Sequence, residues 1–202
     1  MSKNVSAVKE KAPPVYIEPR YVIKLAGTLL GICTVVALLL GLINSVTSPI
    51  ISQLQKEKTD AAMRKVLFAE NYEQLEYSAQ NVSAMYRAVS GGEQVGYVVE
   101  VTGSGFGGAM KLVVGVDMTG AVTGVAVTKH SETSGVGTKV TDSQSVLERF
   151  IGMDGAITVV KNEADVNGNE NCVVAVAGAT VSSRAVTAAI NTALEAVAAV
   201  RN

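Results

Sequence analysis

Hydrophobic residues fall along this chain in three rhythms. The first is unbroken. No charged residue stands between Lys24 and Lys56, and within that gap LAGTLLGICTVVALLLGLI (Leu25 to Ile43) is apolar on every side. A helix needs about 20 such residues to cross a bilayer. A surface helix of a globular protein keeps one polar face, and this run has none. A cleaved signal peptide has a shorter apolar core, about 7 to 15 residues, and a small-x-small site after it. No such site follows Ile43, and Cys33 stands behind Ile32 rather than a small residue. The pattern predicts an uncleaved anchor over residues 21–46, preceded by a short tail, residues 1–20.

The second rhythm is helical. SPIISQLQKEKTDAAMRKVLFA (48–69) places Ile51, Leu54, Ala61, Val66 and Leu67 at helical spacing and predicts a stalk over 47–70. The third alternates. QVGYVVEVT (94–102), KLVVGVD (111–117) and AVTGVAVTK (121–129) read as strands, the last two joined through DMTG as a hairpin. TDSQSVLERFIG (141–152) then reads as a helix capped near Thr141 or Asp142, with Gln144 following. AITVV (156–160) and CVVAV (172–176) read as short strands. SSRAVTAAINTALEAVAAV closes the chain as a helix, with Val186, Ile190, Leu194 and Val197 on one stripe. Strands beside segregated helices predict an α+β domain, antiparallel strands with flanking helices, over 71–202.

Charge adds an orientation. The first 24 residues hold Lys3, Lys9, Lys11, Arg20 and Lys24 against Glu10 and Glu18, while Lys56 and Lys58 follow the apolar run. The larger basic cluster stays in the cytoplasm, so the domain is expected on the outer, periplasmic or extracellular side. Lys and Arg total 17 against 18 Asp and Glu, which leaves no basic excess for nucleic acid. The cysteines, Cys33 and Cys172, form no CxxC pair, and no disulfide is expected. His130 is the single histidine, which excludes a histidine metal cluster. No acid–base pair spaced for hydrolysis is evident, so no catalytic residue is assigned.

Two glycine-rich stretches imitate nucleotide motifs. GSGFGG (103–108) fits G-x-G-x-x-G but lies between strands, where the dinucleotide fingerprint requires a helix after it. GVGTK lacks phosphate-loop spacing. More informative is VAGATVSSRAV (176–186), which leads into the closing helix. Thr180 stands there between small residues. A turn followed by a helix cap explains the pattern. So does an anion held at the helix N-terminus, where free N–H groups favour phosphate.

The run from GSGFGG through KHSETSGVGTKV, followed by AGATVSS, resembles the FMN-binding domain family. Within it the chain is similar to the G subunits of Rnf-type ion-translocating ferredoxin:NAD oxidoreductase complexes, to which the C subunits of sodium-pumping NADH:quinone reductases are related. The motifs ETSGVG (132–137) and GATVSS (178–183) carry the resemblance, in family order. It implies FMN bound covalently to Thr180 through a phosphoester, with Gly178 and Ala179 completing the motif. A separate flavin transferase would attach it from FAD, releasing AMP. The loop of Glu132, Thr133, Gly135, Val136 and Gly137 would lie by the flavin.

Ser182 and Ser183 either donate to the phosphate or cap the helix, and Lys139 either supplies charge or is a surface lysine. Glu132 and Thr133 either touch the ring or shape the loop. Phe106 either flanks the ring or fills the core, and His130 either meets the flavin edge or ends a strand at the surface. Three residues depart from the family pattern: Ser134 for proline, Ala177 for a small hydroxyl residue and Val174 for aspartate.

The implied function is electron transfer inside a membrane complex that couples ferredoxin:NAD chemistry to ion movement. Its partners would be the other membrane subunits, the transferase and the lipid around the anchor. Two alternatives stand beside it: a stand-alone anchored flavoprotein carrier and a flavin-free assembly subunit.

Overall fold

The computed structural model describes residues 19–166, 168 and 171–201, so most of the expected tail, 1–18, lies outside the described residues. The chain divides into two compact units between Ile51 and Ser52. In the first, residues 19–51 of helix α1 (Pro19–Val66) are all exposed, apolar ones included. It is long and apolar enough to cross a membrane. Three of its hydroxyls are satisfied within the helix: Thr28 donates to the Leu25 carbonyl, Thr34 to that of Leu30 and Ser45 to that of Leu42, at 2.8–2.9 Å. A polar group without such a partner would be costly in lipid.

The second unit contains the last turns of α1, residues 52–66, and the α+β domain. Five antiparallel strands run in chain order: β1 (Asn71–Leu75), β2 (Val82–Ser90), β3 (Glu93–Ser104), β4 (Ala109–Asp117) and β5 (Val122–Lys129). Both faces are covered. Val98 and Val113 pack against Ala62, Met63 and Val66 of α1. Alternate residues, among them Val99, Val101, Leu112 and Val114, share the larger core with Val186, Ile190 and Ala193 of the closing helix. Burial on both faces explains why β3 and β4 are almost continuously hydrophobic.

The three alternating segments lie on β3, β4 and β5, as expected, and β1 and β2 join them. The expected 141–152 helix is instead broken. Two single-turn helices, α2 (Thr138–Thr141) and α3 (Gln144–Leu147), precede a 3-10 turn at Glu148–Phe150. Ser143 between them is extended, at φ −86° and ψ 108°, so one continuous helix cannot form. The break still buries Val140, Val146, Leu147 and Phe150. The two short strands pair in parallel, β6 (Thr158–Val160) with β7 (Cys172–Val174). The closing helix, α4 (Thr180–Arg201), starts at Thr180, two residues before the expected start at Ser182.

The β4–β5 hairpin turns on one carboxylate. Asp117 Oδ1 accepts the N–H groups of Thr119, Gly120 and Ala121 and the Thr119 hydroxyl. Gly120 supplies the positive φ, +101°. Burial pushes the Asp117 carboxyl up, but these hydrogen bonds outweigh it and hold the group below its ordinary value.

Candidate functional site

The site is built at the start of α4. Gly178 has φ +80° and open space where a Cβ would stand, which lets the chain turn sharply after β7. Ala179 donates its N–H to the Val176 carbonyl, and Thr180 opens the helix. Ser183 closes this turn from within. Its hydroxyl donates to the Ala179 carbonyl and accepts the Val176 N–H, at 3.0 and 3.1 Å. Both expected serine caps therefore sit inside the first turn, and only Ser183 reaches back, because the helix begins at Thr180. The backbone N–H groups of Thr180, Val181 and Ser182 have no protein acceptor among the described residues, and neither does the Thr180 hydroxyl. Three free donors with the positive end of a 22-residue helix form an anion cradle.

Two loops complete the walls. The β3–β4 turn closes through a Gly105 N–H to Gly108 carbonyl bond and carries Phe106 at its tip, 75% exposed. In the other loop the Thr133 carbonyl accepts the N–H groups of Val136 and Gly137. Gly135, at φ +76°, donates to Thr138 Oγ1. Glu132 is buried beneath both loops. One of its oxygens accepts the Gly107 N–H at 3.2 Å, and the other accepts the Ser182 hydroxyl at 2.8 Å.

Between these elements lies a cleft of about 370 Å³. Glu132, Thr133, Val136 and Gly137 line one side; Gly178, Ala179, Thr180 and Ser182 line the other. The sequence motifs, well separated along the chain, thus meet in one place. Gly135 supports the loop without reaching the lining, Ser183 faces the helix turn, and Lys139 lies on α2 outside the cleft. His130 faces a different groove with Lys58 and Lys129, and its Nε2 lies 2.9 Å from Asp142. Phe106 is an exposed lip of the cleft rather than a core residue. Val181, which lies inside GATVSS but is assigned no role from the sequence, is another lip; its place one residue after Thr180 on an exposed helix turn is the signal. Of the departures from the family pattern, Val174 pairs with Val160 in the small sheet and Ala177 is exposed in the turn.

A flavin mononucleotide fits what these residues offer. The phosphate requires donors, which the first turn of α4 leaves free. The flat ring requires apolar walls, which Phe106, Val136 and Val181 present. The volume falls within the roughly 300–1,000 Å³ of small-molecule sites.

Comparison with known proteins agrees. Residues 105–195 match the FMN-binding domain family. The chain is 31% identical to the G subunit of the Na+-translocating ferredoxin:NAD+ oxidoreductase complex of Acetobacterium woodii, over 93% of this chain and 95% of that one. It is 32% identical to the G subunit of an ion-translocating oxidoreductase complex of Methanosarcina acetivorans, over 90% and 97%. In fold it resembles the crystal structure of the C subunit of the Na+-translocating NADH-quinone reductase from Parabacteroides distasonis. That likeness has a TM-score of 0.53 at 15% identity and covers 71% of this chain and 92% of that one. The sheet, the cleft and these matches make the chain a member of the G-subunit family of ion-translocating oxidoreductase complexes, built on an FMN-binding domain.

Proposed function

We propose that this protein is the flavin-bearing electron-transfer subunit of a membrane complex that couples ferredoxin:NAD oxidoreduction to ion translocation, with FMN held on Thr180 through a phosphoester. The observation that carries the reading is the half-buried Thr180 hydroxyl. It has no protein partner among the described residues, it opens into the cleft, and it stands beside three unpaired N–H groups. Bound FMN supplies reversible uptake and release of electrons, and the protein positions and tunes it.

A threonine hydroxyl is too weak an acid to displace a phosphoanhydride unaided. A flavin transferase supplies the base. The Thr180 oxygen forms a bond to the flavin-side phosphorus of FAD, the phosphoanhydride bond breaks, AMP leaves, and the hydroxyl proton passes to the transferase. The N–H groups of Thr180, Val181 and Ser182 then hold the phosphate. Gly178 and Ala179 keep the approach clear. The loop of Glu132, Thr133, Gly135, Val136 and Gly137 forms the facing wall, with Phe106 at the lip. A covalent tether suits a domain on the outer side of the membrane, away from the cytoplasmic flavin pool, with α1 in lipid and the other subunits around it.

Intact mass of the chain purified from its own membranes tests this. The expected gain is one FMN less one water, located on the Thr180 peptide. Val174 and Ala177 lie just before the motif and remove one charge and one hydroxyl without adding bulk at Thr180. Losing one hydrogen bond costs about 0.5–1.5 kcal/mol, which slows recognition by the transferase without abolishing it. The paired change Val174→Asp with Ala177→Ser should therefore be modified faster in vitro. An unmodified native chain beside a modified paired variant would replace this reading with the flavin-free assembly role.

A further inference from the structure

The two loops that wall the cleft converge on one side chain. A Cβ built on Gly105 would collide with Glu132 Oε1, and one built on Gly137 would collide with Glu132 Oε2. One built on Gly107 would collide with the Ser131 carbonyl oxygen and stand 2.9 Å from the Cα of Glu132. None of these three glycines has a positive φ, so backbone conformation does not demand them. Room for Glu132 does. Within GSGFGG, which imitates a nucleotide motif, Gly105 makes room for the carboxylate and Gly107 for the Ser131–Glu132 backbone.

That carboxylate joins separate parts of the chain. Gly107 of the β3–β4 turn donates to one oxygen and Ser182 of α4 to the other, while Glu132 itself belongs to the third wall. It is 9% exposed, so both bonds are shielded from competing water. We infer that Glu132 is the positioning residue of the cleft: its carboxylate fixes the β3–β4 turn against the first turn of α4 and sets a negative charge in the wall that faces the flavin. This rests on the flavin reading above.

Two consequences follow from the geometry. The Ser182 hydroxyl is committed to Glu132, which leaves the phosphate to the backbone N–H groups. Electrons added to the cofactor also meet a fixed negative charge in a poorly solvated wall, which opposes them. The carboxylate therefore holds the midpoint potential below the value the same cleft would give without it.

Two variants of the full-length chain separate these effects. In Glu132→Gln the amide oxygen accepts from Gly107 and the amide nitrogen donates to the Ser182 hydroxyl oxygen, so both links survive and the charge goes. This variant should carry a full flavin load with a midpoint potential more positive than wild type. In Glu132→Leu both links go, leaving a buried donor unpaired. Attachment of flavin by the transferase should slow about tenfold.

A third measurement needs no cofactor. In a Thr180→Val background, Glu132→Leu should speed amide exchange at 105–108 and at 180–183 together, while Glu132→Gln should not. A wild-type potential in Glu132→Gln overturns the proposal, as does native exchange at both segments in Glu132→Leu. Should Glu132→Leu fail to fold, the Glu132→Gln potential decides. If the wild-type chain carries no flavin, the functional reading fails, and the exchange comparison still judges Glu132.

Discussion

Thr123 donates its hydroxyl hydrogen to the carbonyl oxygen of Val66 at 2.7 Å. Val66 is the last residue of α1, and the bond satisfies a carbonyl that a helix end otherwise leaves open. Beside it, Gly115 and Gly124 stand directly opposite each other on β4 and β5. A Cβ on Gly124 would lie 2.8 Å from the Val66 Cα, and one on Gly115 would lie 2.7 Å from the Val66 oxygen. The helix end rests on bare strand backbone. Gly124→Ala should destabilise the domain by about 1–3 kcal/mol through overpacking, and Thr123→Val by about 1 kcal/mol. Denaturant unfolding of the full chain in detergent measures both. Wild-type midpoints would show that this seat contributes nothing.

Thr180→Val should abolish covalent flavin and leave the fold intact. The substitution keeps the shape and deletes a hydroxyl that has no protein partner among the described residues, so little packing is lost. Far-ultraviolet circular dichroism and the thermal midpoint should match the flavin-free wild-type chain, while in-gel flavin fluorescence disappears. Ferredoxin-to-NAD electron transfer by the assembled complex should collapse. Native activity in a flavin-free variant would sink the electron-carrier reading.

Sidedness is open to a labelling experiment. A cysteine at Asn202, in a chain whose Cys33 and Cys172 are replaced by serine, should react with a membrane-impermeant maleimide in intact cells. In a Gram-negative host this applies once the outer membrane is permeabilised. Reaction only after lysis would invert the orientation argued from the basic amino-terminal flank.

Tyr86 gives an alkaline signature. It donates to Glu100 Oε1 at 3.1 Å. Burial first, and then the charge of Glu100, push the phenol from 10.0 up to about 12. Because the folded value lies above the unfolded one, the neutral phenol favours the folded state. That contribution is whole below pH 10 and is lost as pH climbs towards 12. Stability should therefore fall more steeply across that window in wild type than in Tyr86→Phe. Parallel pH profiles of the denaturation midpoint would count against the Tyr86–Glu100 contact.

The strands β3 to β5 are legible in sequence because Val and Leu recur there with glycine-bearing turns between. Strand β1 is not. Its residues Asn71, Glu73 and Gln74 are exposed, since an edge strand buries little and carries a weak pattern. Strand β2 mixes Arg87 and Tyr86 among its apolar residues, which obscures the alternation. The broken helix at 138–150 misleads because its apolar residues sit at helical spacing whether or not the backbone between them is helical. At the cleft, the motifs mark Thr180 and the loop, but spacing alone cannot show that Glu132 lies beneath both walls. That fact depends on a contact between residues 50 positions apart. Ser182 reads as a helix cap or a phosphate donor for the same reason: nothing local reveals its distant acceptor.

Phe106, Val136 and Val181 stand 75%, 45% and 53% exposed around the mouth of the cleft. A pocket that consumes a diffusible substrate closes over it to keep water out. A rim left open serves a different end, contact rather than capture. Charge that has to pass between proteins travels best across a short, dry gap, and an apolar rim is wet only until another surface presses on it. The protein alone would then resemble an uncovered electrical terminal. Its rate would depend on how closely the neighbouring surface seats, and its purified form would be prone to stick to itself at those three side chains.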